Sequence, residues 1–309
     1  MTTKWNAVDV PDQSGRTILI TGANSGIGLE AARVLVSSGA HVVLACRSRD
    51  KAEAANAEIT ATGPEGTTEI VDLDLSDLEQ VSVAAKTFTG AHDRLDVLVN
   101  NAGVMATPHR TTAQGFELQL GTNHLGHFAL TAHLLDTLLA TSGSRVVTIS
   151  SQAHRFGRIN FSDLQSERRY SAWRAYGQSK LANLLFTFEL QRRLEAAGQD
   201  TVALAAHPGG SRTNLGHESS GGLLGSIMSA GKPLFDRVMA QSAAMGALPT
   251  LRAATDPDAS GGDYYGPDGV GEQRGHPIKR STTARARDID AAQRLWSVSE
   301  ELTGVTFAL

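Results

Sequence analysis

Two apolar patterns alternate along the chain. Runs of mostly aliphatic residues occur at 18–20, 41–45, 95–99, 145–149 and 202–206, with a more polar strand-like stretch at 67–73. Runs of that length and composition predict strands covered on both faces, as in a parallel sheet. Between them, apolar residues recur at helical spacing. Leu29, Ala31, Ala32, Val34 and Leu35 predict one helix up to about Ser38, with Gly39 as its stop. Residues 50–61 predict an alanine-rich helix, broken by Gly63, Pro64 and Gly66. Leu78, Val81, Val83 and Ala84 mark a third helix, residues 112–140 a long helical region, and residues 172–197 another with Leu181, Leu184, Leu185, Phe188 and Leu194 on its apolar side. Helices near 241–254 and 288–302, a short strand at 263–265 and a Gly/Arg-rich loop complete the chain.

Strands alternating with helices imply an α/β fold, a doubly wound parallel sheet of the Rossmann type with right-handed crossovers and helices on both faces. About seven strands are expected, with the first near the centre where the strand order reverses. No linker divides the pattern and no repeat is visible, so residues 1–309 read as one domain. Residues 1–16 form an N-terminal arm. Residues 210–240, rich in Gly and Ser, read as a mobile loop with short helical pieces; its scattered Leu, Ile and Met residues suit a substrate lid or local core equally.

Composition narrows the function classes. With 309 residues, 41% hydrophobic and 19% charged, the chain can bury one large core. A net charge of -4 gives no general attraction to nucleic acid or to acidic membranes. No apolar run approaches the roughly 20 residues of a membrane span, and the polar N-terminus lacks a signal-peptide core. Cys46 stands alone, so no intrachain disulfide forms. A cytoplasmic location without a membrane anchor is expected.

In a doubly wound sheet the ligand lies beyond the carboxyl ends of the strands. The stretch 17–28, TILITGANSGIG, passes from strand through a turn carrying Gly22, Gly26 and Gly28 into a helix. That arrangement sets backbone N–H groups and a helix N-terminus against a pyrophosphate, with Asn24, Ser25 and Ile27 filling the turn. After the second strand come Arg47 and Arg49 and no acid, which favours the 2′-phosphate of NADP(H) over NAD(H); solvated loop arginines are the other reading. Asp74 and Leu75 follow the third strand, Asn101, Ala102 and Gly103 the fourth, Ser151 the fifth, and Pro208, Gly209 and then Thr213 the sixth. One shared crevice accounts for all of these small and polar strand ends.

Tyr176 and Lys180 are four apart on a predicted helix and share a face. Bringing a tyrosine from near 10 to about 7 requires about 4 kcal/mol, which a cation about 4 Å away at an effective dielectric near 20 supplies. Among His124, His127 and His133, the first two are one helical turn apart, but no partner carboxylate or cysteine accompanies them, so they predict partly buried helix histidines and no metal.

Taken together, TGANSGIG, NNAG, Ser151, Tyr176-x-x-x-Lys180 and Pro208-Gly209 with Thr213 resemble the short-chain dehydrogenase/reductases over about residues 15–265. NHLGHFALTAHLL, SSQAHRFG and RYSAWRAYGQSKLANLLFTFEL are similar to the retinol dehydrogenase-like branch. The resemblance implies that Tyr176 is the acid–base and that Lys180 lowers its pKa and binds the nicotinamide ribose. It implies that Ser151 bonds the substrate oxygen and that Asn123 holds a helix distortion and a proton-relay water. Asp74 would lie at the adenine, Asn101 at the adenine ribose and Thr213 at the carboxamide. The chain lacks the apolar N-terminal anchor of membrane-bound members, so no retinoid substrate is carried over. The function expected is NADP(H)-dependent hydride transfer to or from an apolar alcohol or carbonyl compound, by a homodimer or homotetramer. The alternative is a catalytically silent NADP-binding regulator or scaffold.

Overall fold

The computed structural model describes residues 4–210 and 241–309. Thr213 and nearly all of the expected 210–240 loop therefore lie outside the described residues.

Eight strands form one sheet: β1 (Thr17–Thr21), β2 (His41–Cys46), β3 (Thr67–Asp72), β4 (Val97–Asn100), β5 (Arg145–Ile149), β6 (Val202–Ala206), β7 (Tyr264–Pro267) and β8 (Pro277–Lys279). Their order is β3-β2-β1-β4-β5-β6-β7-β8. All neighbours are parallel except β7 and β8. The chain starts at β1, winds outward to β3, then returns to β4 on the other side, so the reversal lies between β1 and β4. β8 is one strand more than expected. It is a three-residue edge strand beginning with a proline and leaving Ile278 exposed, so no apolar run marks it in the sequence.

Each buried strand divides its residues between two cores because successive side chains point to opposite faces. Ile18, Ile20, Val42 and Leu44 pack under helices α1 (Gly26–Ser37) and α2 (Arg49–Thr60). Leu19, Val43 and Leu98 pack under α3 (Leu78–Ala91) on the other face.

The long helical region begins later than its pattern suggests. Residues 112–117 form a turn closed by a bridge between Thr111 and Glu117. The buried Glu117 carboxylate then caps α4 (Leu118–Leu120), accepting the N–H groups of Gln119 (2.9 Å) and Leu120 (2.7 Å). A π-helical turn, Gly121–Leu125, interrupts the run before α5 (Gly126–His133) and α6 (Leu135–Leu139). Helix α7 (Ala172–Ala196) is buried on all sides from Ala175 to Thr187, not on one apolar side alone, α8 (Ala243–Thr255) packs on α1, and α9 (Ile289–Thr303) packs on α7.

Candidate active site

A cleft of about 500 Å³ opens at the carboxyl ends of the strands around the reversal point. Its wall brings together Gly22, Asn24, Ser25, Gly26, Ile27 and Gly28 from the first turn, Arg47 after β2, and Asp74 and Leu75 after β3. Asn101, Ala102 and Gly103 join them from the β4 loop, Tyr176 and Lys180 from α7, and Pro208 from the end of β6. Residues expected from distant parts of the sequence thus share one surface. Asn123, Ser151 and Gly209 stand beside or behind that wall.

The glycine turn is fitted to close approach. A Cβ on Gly28 would lie 2.5 Å from the Gly22 carbonyl oxygen and 2.6 Å from Asn101 Nδ2, so no side chain is accommodated there. Gly22 has φ +67°, a conformation that favours glycine. Ser25, the N-cap of α1, makes no side-chain capping bond, and the first turn of α1 holds no acid. The free N–H groups of a 12-residue helix therefore face the cleft, which suits a phosphate group.

A closed hydrogen-bond circuit holds this turn to the rest of the site. Thr21 Oγ1 accepts the backbone N–H groups of Asn101 and Ala102, both at 2.9 Å. It also lies 2.9 Å from Nε2 of the buried His127. His127 Nδ1 lies 3.0 Å from the Asn123 carbonyl, which can only accept, so Nδ1 carries the hydrogen. Burial pushes His127 down to about 4, so the ring is neutral and Nε2 accepts the Thr21 hydroxyl. His124 is likewise buried, pushed down to about 3, and bonded to Ser299. Both histidines are neutral structural groups.

Asn123 sits inside the π-helical turn. Its Oδ1 accepts the Val104 N–H at 2.8 Å, while Nδ2 donates to the Val104 carbonyl and to Ser179 Oγ, both at 2.9 Å. The side chain acts as a strand partner for the backbone beyond β4. The expected helix distortion is present as this π-helical turn.

Tyr176 and Lys180 are both buried on α7. Lys180 Nζ donates to the Ile149 carbonyl at 3.1 Å and lies 5.8 Å from the centre of the Tyr176 ring. Burial pushes Lys180 down to about 8. Burial raises the Tyr176 pKa, and a hydrogen bond shared with the Ser151 hydroxyl opposes that rise. The expected depression of Tyr176 by Lys180 is thus not supplied by the protein's own groups: desolvation of the phenol outweighs them. Ser151 also caps the short turn Gln152–Arg155 by accepting the Ala153 N–H at 3.2 Å. Its neighbour Ser150 also lines the cleft, with its hydroxyl donating to the Lys180 carbonyl at 2.8 Å.

Arg47 is exposed on the cleft wall, whereas Arg49 is engaged by Asp72 at 2.9 Å. Lys51, in the first turn of α2, joins Arg47 on the wall and was not anticipated; a second cation four positions on was the available signal. Two exposed aromatic residues flank the tyrosine. Trp173 meets Tyr176 edge-on at 6.1 Å, and Phe156 lies against Gly177. Cys46 is buried, its thiol pushed up to about 11 by desolvation, and takes no part in the cleft wall.

A doubly wound sheet with a glycine turn at its reversal point and a cleft of mixed polarity above it defines a dinucleotide-binding type of protein. The family model of short chain dehydrogenases matches residues 16–222. The chain is 42% identical to human (Homo sapiens) retinol dehydrogenase 12 over 294 residues, covering 94% of this chain and 87% of that one. A solved structure from Mycobacterium paratuberculosis, described as uncharacterised, superposes with a TM-score of 0.82 at 45% identity, covering 99% of this chain and 100% of that one. A Shigella flexneri structure described as a short chain dehydrogenase complexed with NADP gives a TM-score of 0.64 at 25% identity, covering 83% of this chain and 98% of that one. The chain belongs to the short-chain dehydrogenase/reductase family of oxidoreductases, in its retinol dehydrogenase-like branch.

Proposed function

We propose that the protein is an NADP(H)-dependent oxidoreductase that interconverts an apolar alcohol and its carbonyl compound, with Tyr176 as the proton-transferring group. The observation that carries this reading is the meeting of Tyr176, Lys180 and the Gly22–Gly28 turn on one cleft wall. The turn and the uncapped end of α1 would hold the pyrophosphate, Asp74, Leu75 and Asn101 the adenosine portion, and Ala102, Gly103, Pro208, Gly209 and Thr213 the nicotinamide end. Bound there, the nicotinamide supplies or takes up the hydride.

The residues of this chain handle the proton and the substrate oxygen. Tyr176 gives a proton to that oxygen in reduction and takes it in oxidation. Ser151 donates a hydrogen bond to the same oxygen and stabilises its developing charge. Lys180 binds the ribose hydroxyls and keeps a positive charge near the phenol. Asn123 fixes the backbone beyond β4 against which the nicotinamide end rests. Trp173 and Phe156, exposed beside Tyr176, supply apolar surface for the substrate. Relatives named retinol dehydrogenases support a substrate of this chemical class.

Arg47 and Lys51 support NADP(H) over NAD(H), because both place positive charge on the adenosine side of the cleft and no acid faces them on its wall beyond Asp74. The test is consumption of NADPH against a panel of aliphatic and aromatic aldehydes and ketones. Arg47→Asp is expected to weaken NADPH binding about 30-fold, the equivalent of roughly 2 kcal/mol for one charge-assisted contact, and to leave NADH binding little changed. Equal losses for the two nucleotides would remove Arg47 from 2′-phosphate recognition.

A further inference from the structure

Far from the cleft, three side chains from separate elements converge at the opposite end of the sheet. His41 opens β2, Glu69 lies on β3, and His92 follows the last turn of α3. In the β2–β3 register His41 pairs with Thr67, and Glu69 lies two residues further on the same face as Thr67. Glu69 Oε2 is 2.9 Å from His92 Nε2 and 3.5 Å from His41 Nε2. The three donor atoms all lie within 4.8 Å of one another.

Both rings are held in place. His41 Nδ1 lies 2.7 Å from the Thr67 hydroxyl, and the His92 ring stacks on Phe88 with centres 4.7 Å apart. With Nδ1 engaged, His41 Nε2 is buried, turned toward the Glu69 carboxylate, and has no hydrogen-bond partner. A buried ring nitrogen without a partner costs free energy, and a cation between it and the carboxylate would remove that cost.

We propose that His41, Glu69 and His92 bind one divalent transition-metal ion of the zinc class, clamping β2, β3 and α3 together. Two imidazoles and a carboxylate suit Zn²⁺, whose Zn–N and Zn–O bonds are about 2.0–2.2 Å. Tetrahedral donors at such lengths stand roughly 3.3 Å apart. The two His–Glu separations bracket that value, and the two imidazole nitrogens lie within 4.8 Å of each other. The Thr67 hydroxyl supplies the outer hydrogen bond that orients a metal-bound histidine. Water completes the fourth position. The ligands come from three elements, so no spacing in the sequence reveals them, and the sequence expectation of no metal is revised here.

The test uses the untagged full-length chain, stripped with EDTA and dialysed against Zn²⁺ near pH 7.5. One Zn²⁺ per chain is expected. His41→Gln and His92→Gln should each weaken it about tenfold or more, the double variant should lose it, and His133→Gln should retain it. Electron paramagnetic resonance of the Cu²⁺-loaded wild-type chain should show coupling to two imidazole nitrogens, a readout that needs no variant. NADPH consumption is expected to be unchanged in His41→Gln, so this site and the cleft are tested separately. A wild-type chain that retains no Zn²⁺, a double variant that binds it as tightly as wild type, or a Cu²⁺ spectrum without imidazole coupling would overturn the proposal.

Discussion

At the residue scale, the site depends on neutral buried groups as much as on charged ones. The circuit from Thr21 through His127 to Asn123 works only while His127 is uncharged, since a protonated ring would confront the Thr21 hydroxyl with a second donor. Burial holds His127 near 4, below the ordinary value near 6.5 that applies in the unfolded chain. As pH falls below 6.5 the unfolded chain takes up a proton that the folded chain refuses, so stability is lost from about 6.5 down to about 4. The expected slope is about 1.4 kcal/mol per pH unit for each such histidine. His124, held lower still, adds a second contribution. Urea denaturation between pH 7 and 4.5 measures the slope, and His127→Gln should reduce it by one histidine's share; an unchanged slope would mean that His127 titrates normally. The glycines and Asn101 are legible as residues because strand ends concentrate chemistry, and Tyr176 because it stands four residues before Lys180 on a predicted helix in the company of the other motifs. The burial that sets the Tyr176 and Lys180 pKa values was not, because it is made by elements remote in sequence.

At the element scale, the chain departs from its own periodicity where side chains bond to backbone. The apolar pattern of residues 112–140 is continuous, yet the structure interrupts it with a late start, a π-helical turn and a break at Leu134 between α5 and α6. Glu117 caps a helix that starts only at Leu118, and Asn123, inside the π-helical turn, pairs with Val104. A 3.6-residue pattern carries no sign of either event, because both depend on a partner segment. The distortion itself was foreseen only through resemblance to the family. Asn123→Ala would leave the Val104 N–H and carbonyl without their partner, at an expected cost of about 3 kcal/mol. A lowered urea midpoint together with a reduced kcat would follow. Wild-type values for both would show that the turn does not depend on this side chain.

At the scale of the whole molecule, a parallel sheet with its first strand near the centre is readable from the alternation of apolar runs, and the observed strand order places the cleft between β1 and β4. β8 was not readable, because a short antiparallel edge needs no apolar face. Among the described residues, no helix is long and apolar enough to cross a membrane. The fold's consequence for chemistry is that a helix beginning 144 positions after Gly28, at Ala172, delivers its phenol to the mouth of the first turn. The most direct test of that meeting is Tyr176→Phe, assayed for NADPH binding by fluorescence and for turnover with the best carbonyl substrate of the wild-type chain. NADPH affinity should stay within about twofold while turnover falls about 1,000-fold, the scale of lost general acid–base catalysis. Turnover retained at the wild-type rate would contradict the account.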